Sequence, residues 1–256
     1  MLLVSLAVLL GYMTCLYVVA LLRQNNGIAD IGYGVAFMVV ILATYVQVEP
    51  PFTLVTSLLV GLPVVWGARL AVRIFRKNYG KPEDFRYKAW RDAWGNTFWW
   101  RSFLQVYMLQ GLVVFVVALP VTLSLAYPLI SPIFSLVYVG AALWCVGFFF
   151  EAVGDYQLDR FIQDPTNRGQ IMMRGLWHYS RHPNYFGESL MWISLALIGL
   201  GASSYGVLGV ISPLLITYLL LFVSGVPMLE KRWDGNSAWE AYKKKTSVFF
   251  PLPPKP

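Results

Sequence analysis

Polar side chains that could bind a ligand crowd one short segment between two apolar runs. Residues 174–189 read RGLWHYSRHPNYFGES, and the chain continues as LMWISLALIGLGA. Asn184 and Glu188 stand four residues apart where the second run begins, so they share one face of the predicted helix. The preceding apolar run ends with three carboxylates at the same spacing, at Glu151, Asp155 and Asp159. Two helix faces that carry carboxylates and an amide could together hydrogen-bond a polar ligand.

These carboxylates need an explanation, because ionisable groups are costly beside hydrocarbon. In membrane proteins such groups usually face a wet or liganded interior. The structural alternative is that they pair with Arg160, Arg174 or Arg181 and only hold the loops in place. That alternative suits Asp159 taken alone, but the convergence of the whole set favours a binding site.

An anion site is predicted at the start of the later helix. Pro183 is favoured in the first turn of a helix, where the backbone amide groups are exposed. Arg181 stands beside these amides. A phosphate-bearing cofactor that enters from the cytoplasm fits this arrangement.

No metal centre is predicted. His178 and His182 are four residues apart, but the segment HYSRH lacks the Glu of the zinc-protease pattern H-E-x-x-H. The chain also lacks a G-x-G-x-x-G dinucleotide loop, a G-x-S-x-G elbow and a phosphate-binding P-loop. Any cofactor is therefore expected to lie between helices.

The elements that must position these groups are membrane spans. The chain has 256 residues, of which 57% are apolar and 13% charged. A helix needs about 20 largely apolar residues to cross the hydrocarbon. The expected fold is all-α, an integral membrane protein with seven transmembrane helices. The apolar runs cover roughly residues 2–22, 31–48, 52–73, 103–126, 129–153, 185–202 and 204–226.

The basic residues set the expected orientation. All 20 Lys and Arg residues follow spans one and seven, or lie at or between the facing ends of spans three and four and of spans five and six. Because Lys and Arg accumulate on the cytoplasmic side, the N-terminus is expected outside and the C-terminus in the cytoplasm. The net charge of +7 then needs no nucleic-acid partner. Residues 1–256 are expected to form a single membrane domain.

Several motifs carry a family resemblance. The chain resembles the bacterial, seven-span branch of the steroid 5-alpha-reductase family in GLWHYSRHPNYFGE, LEKRW, YKKKTSVFFP, WGARL and EDFRY, together with Gln110. The core RHPNY-x-G is shared with membrane methyltransferases that modify isoprenylcysteine or phospholipid headgroups. Glu188 directly after Gly187, and the Asp155-Tyr156 pair, belong to the reductase pattern.

The resemblance implies NADPH bound within about residues 127–256 and an apolar substrate pocket within about residues 1–126. Asn184 and Glu188 match the family's Asn and Glu that bind the nicotinamide end, and Asp155 matches its Asp. The implied cofactor-binding set is Asn184, Glu188, Asp155, Glu151, Arg69, Arg174, Arg181, His182, Tyr185 and Arg232.

The acid that activates the substrate carbonyl departs from the family pattern. The animal enzymes use a Glu and a Tyr, near whose places Asp30 and Trp66 stand in this chain. The implied catalytic residues are Asp30, Tyr33 and Trp66, with Tyr87 and Tyr107 as further candidates. Asp30 could equally be an interfacial helix cap, and Trp66 an aromatic-belt residue.

The implied activity is hydride transfer from NADPH to a conjugated C=C of an apolar lipid such as a 3-oxo-4-ene steroid. The enzyme would be an oxidoreductase of CH-CH groups in the bacterial inner membrane. Its expected partners are this substrate and membrane lipid, with no nucleic acid and no obligatory protein partner. Two alternatives stay open: an S-adenosylmethionine-dependent membrane methyltransferase, and a non-enzymatic lipid-binding or transport protein.

Overall fold

The computed structural model describes residues 1–255, and the expected all-α fold is confirmed. Seven helical segments are long and apolar enough to cross a membrane, so this is a multi-pass membrane protein. Residues 1–255 contain no β-strand, only isolated β-bridges. The spanning segments are Leu2–Arg23, Ile28–Val48, Leu54–Asn78, Phe85–Val117, Phe134–Gln163, Pro183–Ala202 and Gly206–Trp233.

The α-helices are numbered in chain order. They are α1 (Leu2–Arg23), α2 (Ile28–Val48), α3 (Leu54–Asn78), α4 (Phe85–Trp94), α5 (Phe98–Ser102), α6 (Leu109–Val117), α7 (Leu119–Ala126), α8 (Phe134–Gln163), α9 (Pro183–Ala202), α10 (Ile211–Tyr218), α11 (Val226–Glu230) and α12 (Ser237–Lys245). Two π-helical segments, Phe103–Met108 and Leu219–Val223, continue α5 and α10.

The fourth span differs from the one that the apolar pattern predicts. The sequence predicts it over 103–126, whereas the spanning segment is Phe85–Val117. Its first helix, FRYKAWRDAW, is too polar to register as apolar. The carboxylate of Asp84 begins that helix by accepting a hydrogen bond from the Arg86 amide at 3.0 Å. The helix is interrupted at Ala118, because Pro120 has no N–H to donate to the preceding turn.

The chain folds into two compact units, each of which has its own helix contacts. Unit 1 contains residues 1–134 and 199–209, and unit 2 contains the rest of the described chain. In unit 1, a Cβ on Gly67 of α3 would lie 2.6 Å from the carbonyl oxygen of Gly34 in α2. Small residues allow helix backbones to approach closely within lipid. The α2 and α3 backbones are therefore in direct contact.

In unit 2, α8 and α9 run antiparallel and touch along a row of glycines. Gly140, Gly147 and Gly154 recur every seven residues and so lie on one face of α8. A Cβ on Gly147 would lie 2.7 Å from the carbonyl oxygen of Gly187 in α9, and a Cβ on Gly187 would lie 2.5 Å from the Glu151 amide nitrogen. We call the contact of these three α8 glycines with α9, which is closest to the Gly187 backbone at Gly147, the glycine seam. It brings the carboxylate-bearing end of α8 to the start of α9.

Gly147→Ala is expected to destabilise the protein, because the added methyl group would overlap the α9 backbone. Overpacking of this kind costs about 1–3 kcal/mol. The matched control is Gly61→Ala in α3, since nothing lies within 4 Å of the Cβ position of Gly61. That control is expected to be neutral, or stabilising by up to ~1 kcal/mol. The stability of both variants is measured by unfolding in detergent, followed by the circular dichroism signal of the helices. Equal stabilities would contradict the close contact of α8 and α9 at the glycine seam.

Candidate functional site

The two helices of the glycine seam carry the predicted ligand-binding groups. Glu151 and Asp155 of α8 are only 3% and 2% exposed. Asn184, in the first turn of α9, donates a hydrogen bond from Nδ2 to Asp155 Oδ1 at 3.1 Å. Glu188 follows Asn184 by one turn of the same helix. The structure therefore brings Asn184 into contact with Asp155, two of the residues that the sequence pattern grouped.

The side-chain amide of Asn184 has a hydrogen-bonded nitrogen and an unpaired oxygen. Its Nδ2 is held by Asp155, whereas its Oδ1 is buried and has no hydrogen-bond partner in the described chain. An amide oxygen is an acceptor that costs about 1–3 kcal/mol when it is buried unsatisfied. A ligand that brings an N–H or O–H donor to Asn184 Oδ1 would remove this cost.

A tight turn before α9 is fixed to α8 by three contacts. Gly175 has φ +61°, a left-handed conformation that favours glycine, and its Cα packs against the Gln157 side chain. Gln157 Oε1 accepts a hydrogen bond from the Leu176 amide at 2.9 Å. The indole of Trp177 donates to the Gly154 carbonyl at 3.0 Å. The turn thus holds the entry to α9, which begins at Pro183 as predicted.

The guanidinium of Arg181 is hydrogen-bonded to other residues of unit 2. Its Nε donates to Glu230 Oε1 at 3.0 Å, and its Nη1 donates to the carbonyl oxygens of Lys243 and Thr246, both at 3.1 Å. Arg181 therefore forms an ion pair with Glu230, a carboxylate outside the set that the sequence analysis grouped. The guanidinium is largely neutralised where it stands, so it offers less charge to an anion than its position in the sequence suggests.

His182 shares the same carboxylate. Its Nε2 lies 2.9 Å from Glu230 Oε1, and its ring stacks on Tyr185 with centroids 5.3 Å apart. The other ring nitrogen, Nδ1, is buried without a hydrogen-bond partner in residues 1–255. Glu230 thus joins Arg181 and His182 to α11, a role that the sequence analysis did not assign. The acidic residue in the LEKRW motif was the available signal.

The C-terminal segment from α12 onward, which we call the tail, packs over the turn that precedes α9. Ser180 Oγ donates to the Phe249 carbonyl at 2.8 Å, and the Arg181 amide donates to the Ser247 carbonyl at 2.8 Å. The Tyr242 hydroxyl of α12 donates to the Trp177 carbonyl, and burial raises the pKa of this phenol. The tail is therefore part of the structure that positions Asn184.

The remaining predicted cofactor residues are spread over the surface and over both units. Arg174 and Arg232 are exposed, and Arg232 lies 5.0 Å from the centroid of the Trp233 ring. Arg69 lies in α3 of unit 1. Arg174 and Arg232 are thus the predicted basic residues of unit 2 that face solvent.

The predicted catalytic residue Asp30 lies in a polar cluster of unit 1. Its Oδ1 accepts from the Tyr87 hydroxyl at 2.6 Å, and its Oδ2 accepts from Arg86 Nη2 at 2.9 Å. Arg86 also binds Asp84. Partial burial raises the pKa of that carboxyl, but the hydrogen bonds from Arg86 outweigh it and hold the pKa below its ordinary value. The N-cap of α2 is Gly27, so Asp30 is not the helix cap that the sequence left open.

Tyr33 and Trp66 lie in an aromatic stack within unit 1. Phe37 makes edge contacts with both rings, with centroids 5.2 Å from Tyr33 and 5.1 Å from Trp66. Trp66 is only 2% exposed, so it packs in the interior of unit 1 and is not a residue of the exposed aromatic belt. In residues 1–255 no group of three or more His, Cys, Asp or Glu side chains is arranged to hold a metal ion.

The comparisons with known proteins give a family. A family model described as "Protein of unknown function (DUF1295)" matches residues 16–246, so the chain belongs to this family. A search of curated proteins and a search of solved structures each gave no match. The family match includes the glycine seam and the Asp30 cluster.

Tyr242→Phe is expected to loosen the tail, because it leaves the buried Trp177 carbonyl without its donor. The cost should be about 1–3 kcal/mol, and protease cleavage at Lys243–Lys245 should become faster. Since the folded pKa of Tyr242 is raised, its contribution is complete below the ordinary pKa of tyrosine and is lost as the pH rises through the folded value. Tyr218→Phe, at an exposed phenol of α10, is the control. Equal cleavage rates for the two variants at neutral pH would contradict this role.

Proposed function

We propose that the protein is an NADPH-dependent membrane reductase whose substrate is the conjugated C=C of an apolar lipid, such as a 3-oxo-4-ene steroid. One observation carries the proposal. Asn184 Oδ1 is buried without a partner, next to the buried carboxylate of Asp155. This is a site for a ligand with amide-like donors, set among carboxylates at the end of two apolar helices.

A nicotinamide carboxamide fits this donor and acceptor set. Its NH₂ group can donate to Asn184 Oδ1 and to a carboxylate such as Glu188, which satisfies both of its N–H groups. Arg174 and Arg232 are exposed and can attract the cofactor phosphates. Arg181 is assigned a different role, since its partner Glu230 and two tail carbonyls make it a support for the start of α9. NADPH, when bound, would supply the hydride.

The residues of the chain orient the reactants and exclude water. Asp155 holds the Asn184 amide so that Oδ1 is fixed as an acceptor. The turn that contains Trp177 is hydrogen-bonded to α8 on one side and to the tail on the other. These bonds fix the position of the first turn of α9 relative to α8. In unit 1, Asp30 is held by Arg86 and Tyr87 as an acceptor. The family resemblance implies Tyr33 as the donor to a substrate carbonyl. Such a donor stabilises developing negative charge by several kcal/mol in a dry site.

The orientation belongs to the same proposal. Basic residues lie in the last turns of α3, α8 and α12, and they support an orientation with these ends in the cytoplasm and the N-terminus outside. The cytoplasm is the compartment that supplies NADPH. By resemblance, the membrane is a bacterial inner membrane.

NADPH is expected to raise the melting temperature of the detergent-purified protein, because a ligand that binds only the folded state stabilises it. At 100 times the dissociation constant the gain is about 2.7 kcal/mol. Glu188→Gln should weaken binding about 10- to 100-fold, the worth of a charge-assisted hydrogen bond. Glu240→Gln removes the same charge from an exposed position of α12 and should bind as the unsubstituted protein does.

The same assay separates the alternatives. Stabilisation by S-adenosylmethionine instead of NADPH would favour a methyltransferase. Stabilisation by neither would favour a lipid-binding or transport protein.

Activity is tested by adding a 3-oxo-4-ene steroid and NADPH and following the nicotinamide absorbance. Consumption of NADPH should depend on the steroid and should fall at least about tenfold in Tyr33→Phe. Tyr218→Phe should keep full activity. NADPH binding without steroid-dependent consumption would contradict the substrate class and leave the cofactor assignment standing.

A further inference from the structure

A groove runs between α2 and α3 on the surface of unit 1. It has a volume of about 340 Å³ and is lined by Ile31, Val35, Ala71, Val72, Phe75 and Arg76. Five of these six side chains are apolar. Ile31 and Val35 are one turn apart on α2, and Ala71 and Phe75 are one turn apart on α3. The groove therefore follows the two helices lengthwise.

The close contact of the two helices shapes the groove. Gly34 of α2 meets Gly67 of α3 backbone to backbone. Ala71, one turn after Gly67, adds only a methyl group, while Val35, Val72 and Phe75 are larger. A shallow apolar channel of this form can take a linear hydrocarbon chain. Both helices are spanning segments, so the medium beside them is lipid.

Arg76 gives the groove one charged end. It is the only charged residue in the lining, its side chain is exposed, and it makes no hydrogen bond or ion pair within residues 1–255. The neighbouring Lys77 differs, because it lies close enough to Asp84 to lower the pKa of that carboxyl. Arg76 is two residues from the end of α3, where a long basic side chain reaches the headgroup region.

We propose that this groove is a binding site for one anionic phospholipid, with an acyl chain along the apolar wall and its phosphate-bearing headgroup on Arg76. Charge complementarity selects the occupant: an unpaired guanidinium at headgroup depth favours a net negative lipid over a zwitterionic one. The site is independent of the cofactor assignment, because none of its residues belongs to the proposed nicotinamide site.

The test is native mass spectrometry of the full chain, delipidated in detergent and titrated with phosphatidylglycerol or with phosphatidylcholine of the same acyl chains. The first phosphatidylglycerol should bind about fivefold more tightly than phosphatidylcholine, the worth of one basic residue at the membrane surface. Arg76→Gln should remove that preference. Lys244→Gln, which removes the same charge from an exposed position of α12, should keep it.

A second pair of variants tests the apolar wall. Val72→Trp fills the groove and should weaken the first binding event for both lipids. Val65→Trp, at an exposed position of the same helix outside the groove, should not. Both valines are about half exposed, so both variants should fold.

Three results would overturn the proposal. They are equal affinity of the unsubstituted protein for the two lipids, an unchanged preference in Arg76→Gln, or an Arg76-dependent dimer in place of a lipid adduct. The dimer would identify a second copy of the chain as the occupant.

Discussion

The proposed cofactor site depends on one contact, the backbone approach of α8 and α9 at Gly147 and Gly187. A Cβ at either position would collide with the other helix. In a bilayer, helices gain little from hydrophobic association, so close packing and interhelical hydrogen bonds must hold them together. The seam supplies the packing, and the bond from Asn184 to Asp155 supplies one of the hydrogen bonds. Carboxylates that would be costly near hydrocarbon are thereby buried beside an amide.

Several of the polar groups that support the start of α9 have hydrogen-bond partners. Arg181 has Glu230 and two carbonyls as partners, and the Trp177 indole has the Gly154 carbonyl. The tail adds donors and acceptors from residues far along the chain. Two buried side-chain atoms at the start of α9, Asn184 Oδ1 and His182 Nδ1, have no hydrogen-bond partner in the described chain. Asn184 Oδ1 is the atom of these two that lies on the side chain bonded to Asp155, where the ligand is proposed to bind.

The sequence predicted what depends on composition and local spacing, and missed what depends on distant partners. Apolar runs locate six spans well because hydropathy over about 20 residues carries the signal. Asn184 and Asp155 were grouped correctly because both lie at helix ends next to the same loop. The hydropathy pattern missed the first helix of the fourth span, because its sequence FRYKAWRDAW is polar. The sequence analysis also missed Arg86 as a partner of Asp30 and Glu230 as a partner of Arg181, because no local spacing links residues so far apart. The seven-residue glycine spacing of α8 was visible in the sequence and would have identified the seam.

The measurement that tests the account most directly is the affinity of Gly147→Ala for NADPH, titrated by nicotinamide fluorescence at a temperature where the variant is fully folded. If the seam positions the site, this methyl group on the α8 face that meets α9 should weaken binding by about tenfold or more, as small displacements of positioned groups do. Gly61→Ala should bind with the affinity of the unsubstituted protein. Unchanged affinity in folded Gly147→Ala would contradict the dependence of the site on the seam.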